Sequence, residues 1–170
     1  AVGCALSFMM EFSLLMTRVR PQSVRVLLYE HSSVARETLH EILTGLGAAV
    51  TGRARSEAFV PVDTEAIREA DVALARQWAA DGGFDAIVST DGDGDRPLIG
   101  DEAGEWFRGD LAGLLTARFL DADRVVTPVS SNSALEASGL FRSVIRTRIG
   151  SPYVIEGMRQ ACEQGAASVV

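Results

Sequence analysis

Residues 84–96 read FDAIVSTDGDGDR, a short apolar run followed directly by three aspartates that alternate with glycine. The run at residues 84–89 has the length and apolar character of a buried strand. Glycine lets the following backbone bend tightly, so Asp91, Asp93 and Asp95 can turn their carboxylates to one side. The stretch therefore predicts a strand that ends in an acidic loop.

Three carboxylates in one loop favour a hard divalent cation. Oxygen ligands without nitrogen or sulfur donors favour Mg²⁺ or Ca²⁺ over Zn²⁺. The carboxylates would repel one another unless a cation or Arg96 offsets their charge. A guanidinium can also hold a phosphate with two hydrogen bonds, so Arg96 indicates phosphoryl chemistry beside the metal.

Other interpretations of the loop stay open. Asp and Gly are common in solvated turns for conformational reasons alone, although three pairs directly after a buried strand favour a metal loop. A calcium EF-hand would place Glu102 at its last ligand position, but Arg96 stands where its glycine is needed. A haloacid-dehalogenase-like phosphatase would use Asp91 as nucleophile, and a non-catalytic acidic metal-binding module is the third alternative.

Outward from the loop, apolar runs and helical periods alternate along the chain and predict an α/β fold with a mixed sheet. In the first part we expect strands at 24–29, 48–51, 84–89, 97–100 and 105–107, and helices through 34–46 and 67–80. In the second part we expect helices at 109–120, 132–138 and 152–163, and strands at 124–127, 143–147 and 167–170. The boundary between the two parts is expected near residues 107–109.

Composition narrows the range of partners. The chain has 170 residues, 47% of them hydrophobic, which is enough for a packed core. A net charge of -7 without any lysine argues against a nucleic-acid partner.

The apolar start is interrupted by Glu11 and is too short to span a membrane, so a packed helix is expected there. Cys4 and Cys162 are far apart and lack metal-site spacing, which favours a reducing, cytoplasmic setting.

The sequence STDGDGDR at residues 89–96 resembles the metal-binding loop of the α-D-phosphohexomutase family, which includes phosphomannomutases and phosphoglucomutases. Five further segments resemble the family in order: residues 31–35, 59–63, 106–110, 127–130 and 146–151. The resemblance implies a three-layer αβα domain with a mixed sheet over residues 1–107, the family's metal-binding second domain with an N-terminal linking helix. Residues 108–170 would be an incomplete domain of the same type, part of the third.

The resemblance also implies a reaction. A phosphohexomutase moves phosphate between C6 and C1 of a hexose phosphate, here mannose or glucose 1- or 6-phosphate, through a phosphoserine. Mg²⁺ would be held by Asp91, Asp93 and Asp95, and Arg96 would steady the transferred group. We find no segment like the family's serine loop, so the serine is expected in a domain before residue 1. The remaining domains of the parent enzyme are thus the expected partners, and the chain alone is expected to be inactive.

Other polar residues carry weaker expectations. Ser151 falls where the family's third domain turns towards the sugar, so it is a candidate substrate contact, with a helix cap before Pro152 as the alternative. His31 could contact phosphate or be a satisfied histidine at a strand end. Ser32 and Ser33 look like helix-start residues. Three acids are interpreted as a solvated surface: Asp63, Glu65 and Glu69.

Overall fold

The computed structural model describes residues 24–170, and the chain divides into two compact units, Ala1–Arg108 and Gly109–Val170. The helix expected near the start of the chain and Cys4 lie outside the described residues. Among the described residues, no helix is long and apolar enough to cross a membrane.

The first unit is built on a five-stranded mixed sheet. Its elements are β1 (Arg25–Tyr29), α1 (Arg36–Gly45), β2 (Ala49–Arg53), α2 (Glu69–Asp81), β3 (Ala86–Thr90), β4 (Pro97–Asp101) and β5 (Trp106–Phe107). The strand order is β2-β1-β3-β4-β5, in which β1 runs parallel to β2 and β3, and β4 runs antiparallel to β3 and β5. The predicted α/β fold with a mixed sheet is confirmed.

Both faces of the sheet are covered. Because side chains alternate along a strand, Leu27 and Tyr29 of β1 lie on one face, in a core cluster with Trp78 of α2. Val26 and Leu28 lie on the opposite face and are also buried. Burial on both sides is typical of parallel strands between helices, and α1 contacts β1, β2 and β3. The unit therefore has the predicted three-layer αβα arrangement.

A buried carboxylate ties this core together. Asp71 of α2 is 1% exposed, yet its carboxylate accepts hydrogen bonds from the Tyr29 hydroxyl at 3.0 Å and from the Arg68 guanidinium at 2.7 and 2.8 Å. The Trp106 indole donates to the Asp71 carbonyl at 3.0 Å. Burial and the nearby Asp71 charge raise the pKa of Tyr29, which stays a neutral donor. The paired charge can thus remain inside the core without an unsatisfied oxygen.

The sheet order places the acidic loop. β1 and β3 are adjacent and parallel, so their carboxyl ends lie at the same edge. The turn at residues 30–35 follows β1, and the loop at residues 91–96 follows β3 and leads into the antiparallel β4. Two connections that are far apart in sequence therefore meet beside each other.

The second unit contains two parallel strands and three helices. Its elements are α3 (Gly109–Phe119), β6 (Arg124–Pro128), α4 (Ala134–Ala137), β7 (Ser143–Thr147) and α5 (Ser151–Glu163). The strand predicted at residues 167–170 is present only as a single bridge from Val169 to Arg124. Three backbone hydrogen bonds pair this segment with β6: Arg124 donates to Ser168, Val170 donates to Arg124, and Val126 donates to Val170. The pairing ends there, at the last residue, and does not amount to a full strand.

Close packing of α5 on this sheet requires a glycine. A Cβ at Gly157 would lie 2.7 Å from Val126 Cγ1 and 3.2 Å from Thr147 Cγ2. By contrast, a Cβ at Gly113, inside α3, would meet nothing within 4 Å. Both glycines lie inside helices, but only Gly157 faces neighbouring side chains that leave no room for a methyl group.

This contrast gives a stability prediction. Gly157→Ala should destabilise the second unit by about 1–3 kcal/mol, because the added methyl overpacks the helix against β6. Gly113→Ala, the matched control, should stabilise it by about 0.5–1 kcal/mol through helix propensity. Hydrogen exchange of peptides within residues 109–170 would measure both changes. Equal protection of the two variants would contradict the packing argument.

Candidate metal centre

The acidic loop brings its three aspartates together. One carboxylate oxygen from each of Asp91, Asp93 and Asp95 lies within 4.8 Å of the others, the only such group of potential ligands found within residues 24–170. Asp91 is buried, whereas Asp93 and Asp95 are exposed. Such a set of carboxylate oxygens, open on one side, fits a hard divalent cation. The ligand role of the three residues stays a prediction.

Asp91 is fixed at the base of the loop. Its Oδ1 accepts hydrogen bonds from the backbone N–H groups of Gly94 at 3.2 Å and Arg96 at 3.3 Å, and its Oδ2 accepts one from Arg96 Nε at 2.7 Å. Its own N–H donates to the Arg96 carbonyl at 3.1 Å. Burial disfavours the charged carboxylate, but the hydrogen bonds and charge of Arg96 outweigh burial and lower the pKa of Asp91.

Asp95 shows the opposite effect. The negative charge of Asp93, then partial desolvation and the charge of Asp91, raise the pKa of Asp95 above its usual value. The three carboxylates therefore repel one another as the sequence predicted, and Arg96 compensates only part of the charge. A bound cation would relieve the remaining repulsion.

Arg96 lies among acids rather than in open solvent. Besides its 2.7 Å contact with Asp91, the guanidinium lies 3.8 Å from Asp95 and 3.7 Å from Asp63, and its side chain is 49% exposed. Asp63 is exposed, as expected of a surface acid, and it also lies within ion-pair distance of Arg96 at the edge of the loop. Its Oδ1 accepts hydrogen bonds from the N–H groups of Glu65 and Ala66, which lower its pKa.

The signal that could have found Asp63 was present in the sequence. The segment FVPVD at residues 59–63, which ends in Asp63, is one of those that resemble the phosphohexomutases. The same segment brings Phe59 against the loop, where a Cβ on Gly92 would lie 3.4 Å from the Phe59 ring. The 3.7 Å contact with Arg96 distinguishes Asp63 from Glu65 and Glu69, its acidic neighbours in sequence.

The turn after β1, at residues 30–35, is hydrogen-bonded to the end of β3, just before the acidic loop. Helix α1 has Ala35 at its N-cap, so neither Ser32 nor Ser33 is the N-cap residue, although Ser33 Oγ accepts a hydrogen bond from the Ala35 N–H at 3.1 Å. Ser33 is buried, and its Oγ lies 2.7 Å from Thr90 Oγ1. Ser32 instead exchanges hydrogen bonds with the backbone of Val60.

His31 is enclosed at the end of β1. It is 0% exposed, and its Nε2 lies 2.8 Å from the Thr90 carbonyl, to which it donates. Nδ1 has no hydrogen-bond partner among the described residues. Burial lowers the pKa of His31, so the ring is neutral in the folded chain. Full burial agrees with the interpretation of a strand-end histidine rather than a phosphate contact, but only one of its two ring nitrogens is hydrogen-bonded.

Ser151 belongs to the second unit. It is the exposed first residue of α5, preceded by an N-cap Gly150 with φ +129°, and Pro152 follows at the second helical position. No side-chain hydrogen bond caps the helix, so the helix-cap interpretation of Ser151 is wrong. Its role in substrate contact stays a prediction.

Comparison with known proteins identifies the family. A family model described as phosphoglucomutase/phosphomannomutase, alpha/beta/alpha domain II, matches residues 7–104. The chain belongs to the phosphoglucomutase/phosphomannomutase family. The predicted resemblance is thereby confirmed, and the match covers the unit that carries the acidic loop.

Individual relatives agree with this assignment. The chain is 48% identical over 164 residues to a phosphomannomutase of Sinorhizobium fredii, an alignment that covers 96% of this chain and 34% of the relative. It is 53% identical over 131 residues to a phosphomannomutase of Salmonella muenchen, covering 77% of this chain and 27% of the relative. This member of the family thus spans between about a quarter and a third of the length of these curated relatives.

Solved structures agree on the fold. A phosphoglucomutase/phosphomannomutase family protein from Burkholderia thailandensis superposes with a TM-score of 0.69 over 94% of this chain and 36% of that chain, at 13% identity. A protein from Thermus thermophilus described as a putative phosphomannomutase gives a TM-score of 0.63 at 18% identity, over 89% of this chain and 38% of that chain. At these identities the likeness shows the fold alone.

The family assignment and the fold weigh against the other interpretations of the loop. Strands β3 and β4 flank the acidic residues, whereas an EF-hand places its loop between two helices. Glu102, the twelfth position of such a loop, follows the last residue of β4. The match to phosphoglucomutases and phosphomannomutases likewise replaces the haloacid-dehalogenase alternative.

The buried histidine gives a pH prediction. A histidine whose pKa is lowered on folding contributes stability above its unfolded pKa of about 6.5, and that contribution is lost as the pH falls below this value. The free energy of unfolding should therefore fall between pH 7.5 and 5.5, and this fall should be smaller in His31→Gln.

The other histidine supplies the control. His40 is exposed on α1, so His40→Gln removes a histidine without disturbing the buried hydrogen bond to Thr90. Urea unfolding followed by tryptophan fluorescence reports on the first unit, because both tryptophans, Trp78 and Trp106, lie in it. Equal pH dependence in the two variants would contradict the assignment to His31.

Proposed function

We propose that the chain is part of a phosphohexomutase that transfers phosphate between C6 and C1 of a hexose phosphate, and that the acidic loop is its Mg²⁺ site. The cluster of Asp91, Asp93 and Asp95 at the end of β3, in a unit matched to domain II of the family, carries this proposal. Relatives named phosphomannomutase and phosphoglucosamine mutase support a sugar-phosphate substrate.

The donor set supports magnesium. All three residues offer carboxylate oxygens, and the exposed positions of Asp93 and Asp95 leave space for water or a phosphate oxygen, which Mg²⁺ usually keeps in its coordination shell. A bound Mg²⁺ would supply charge stabilisation to a phosphoryl group during transfer. The phosphate donor in this proposal is a phosphoserine in another domain of the parent enzyme.

Arg96 is proposed to steady the phosphoryl group. Its Nε is already engaged with Asp91, which fixes the direction of the side chain, while the guanidinium remains half exposed. The two terminal nitrogens could then meet two oxygens of one phosphate. A positive charge held beside the cation site would stabilise the charge spread over the equatorial oxygens during transfer.

The remaining assignments complete the proposal. The substrate would be mannose or glucose 1- or 6-phosphate, with Ser151 as a contact, and the other domains of the parent enzyme would supply the serine and the rest of the sugar site. We keep the cytoplasm as the expected location, with neither nucleic acid nor membrane as a partner. A cation loop that requires a phosphoserine from elsewhere cannot turn over substrate by itself.

The cation site can be tested directly. Asp93→Asn should weaken Mg²⁺ binding by about tenfold, equivalent to about 1.4 kcal/mol, because one anionic ligand is lost. The fold should be unchanged, since relief of repulsion among the carboxylates offsets local losses. The measurement is a Mg²⁺ titration of the 170-residue chain, followed by the NMR shifts of the Gly92 and Gly94 amides.

A matched carboxylate provides the control. Glu102→Gln removes an acid that an EF-hand would need at its last ligand position, but that lies outside the three-aspartate cluster. Its Mg²⁺ affinity should equal that of the unaltered chain. If Asp93→Asn bound Mg²⁺ as tightly as Glu102→Gln, the proposed site would be wrong, and a strong preference for Ca²⁺ would favour the non-catalytic module.

Activity of the isolated chain is a separate prediction. With mannose 1-phosphate or glucose 1-phosphate, a bisphosphorylated sugar activator and Mg²⁺, the purified chain should produce no 6-phosphate, because no phosphoserine is available to donate phosphate. A coupled assay for the 6-phosphate measures this, with a complete phosphomannomutase as positive control. Turnover by the chain alone would contradict the proposed division of the active site.

A further inference from the structure

The turn after β1 is joined to the start of the acidic loop by a set of short hydrogen bonds. His31 Nε2 donates to the Thr90 carbonyl at 2.8 Å, and the Val34 N–H donates to the Gly92 carbonyl at 3.1 Å. Ser33 Oγ lies 2.7 Å from Thr90 Oγ1, and Thr90 Oγ1 donates to the Asp91 carbonyl at 2.8 Å. The backbone on both sides of Asp91 is thus held by a segment about 60 residues away in sequence.

The direction of the hydroxyl hydrogen bonds follows from their partners. Thr90 Oγ1 donates its hydrogen to the Asp91 carbonyl, so it accepts from Ser33 Oγ. Ser33 Oγ in turn accepts from the Ala35 N–H at 3.1 Å. The result is a continuous relay from the start of α1 through two buried hydroxyls to the backbone of Asp91.

The backbone at the start of the turn is strained. His31 has φ +26°, a value that non-glycine residues adopt rarely, and it is fully buried. Its ring also packs against Tyr29, with 4.9 Å between ring centroids. A strained conformation persists where the surrounding structure over-determines it, and here it brings the imidazole to the Thr90 carbonyl.

We infer that Ser33 and Thr90 are positioning residues for the cation site, acting through Asp91. This inference rests on the proposed Mg²⁺ role of the loop. Neither hydroxyl belongs to the ligand cluster, but both fix the backbone from which the buried ligand projects. Groups that orient a metal ligand commonly change cation affinity by about 10–100-fold when they are removed.

Isosteric substitutions separate the hydroxyl from packing. Thr90→Val keeps the shape of the side chain and removes the hydroxyl, whereas Thr90→Ser keeps the hydroxyl and removes the methyl. We expect Thr90→Val to weaken Mg²⁺ binding by about tenfold and Thr90→Ser to change it by less than about twofold. A purely structural role would give the larger loss to Thr90→Ser, which leaves a small cavity.

Adjacent serines provide a second matched pair. Ser33→Ala interrupts the relay and should weaken Mg²⁺ binding by about tenfold. Ser32→Ala removes a hydroxyl from the same turn that bonds to Val60 instead, so its affinity should stay within about twofold of the unaltered chain. The Gly92 and Gly94 amide shifts report Mg²⁺ binding in all four variants, and tryptophan fluorescence reports whether the first unit is folded.

The outcomes distinguish this inference from the proposed function. Unchanged Mg²⁺ affinity in folded Ser33→Ala and Thr90→Val, with weakened binding in Asp93→Asn, would overturn the positioning role and leave the cation site intact. Equal losses in Thr90→Val and Thr90→Ser would overturn it as well, because packing would then be the cause. An unaltered chain that binds no Mg²⁺ would overturn both the cation site and the positioning role.

Discussion

The parallel pairing of β1 with β3 is the constraint on which the acidic loop depends. It places the carboxyl ends of two strands side by side, so the turn that leaves one strand can bond to the loop that leaves the other. The buried hydroxyl of Ser89 reinforces this junction by donating to the Tyr29 carbonyl at 2.6 Å. Below the junction, Tyr29 and Ile87 enter the same apolar cluster, so the hydrophobic core holds the strands in register. Core packing and site geometry are therefore two results of the same strand pairing.

Charge balance in the loop complements this frame. A buried carboxylate without a partner would be costly, and Arg96 supplies that partner to Asp91 at 2.7 Å. The two exposed carboxylates keep their mutual repulsion, which raises the pKa of Asp95. The fold thus compensates the charge of the buried Asp91, whereas the charges of the exposed Asp93 and Asp95 are compensated only in part.

Much of the architecture could be predicted from the sequence, because apolar runs and helical periods mark the strands and helices of the sheet. The loop was also visible, since its alternation of Asp and Gly is local. The hydrogen bonds of His31 and Ser33 to Thr90 were not predictable in the same way, because each depends on which distant segment packs beside it. Residues 167–170 were predicted as a strand on apolar character alone, but only one bridge forms, since strand assignment requires a partner ladder as well as a hydrophobic pattern.

The two ends of the acidic loop, Asp91 and Arg96, are hydrogen-bonded to each other, and this would affect how fast an ion could bind. The Asp91 N–H donates to the Arg96 carbonyl, and β3 and β4 continue as a hairpin, so both ends of the loop are tied together. The entropy of arranging these residues is therefore lost when the domain folds, not when an ion arrives. Because Mg²⁺ dehydrates reluctantly, the slow event at a prearranged cage of this kind would be the release of water from the ion rather than movement of the polypeptide.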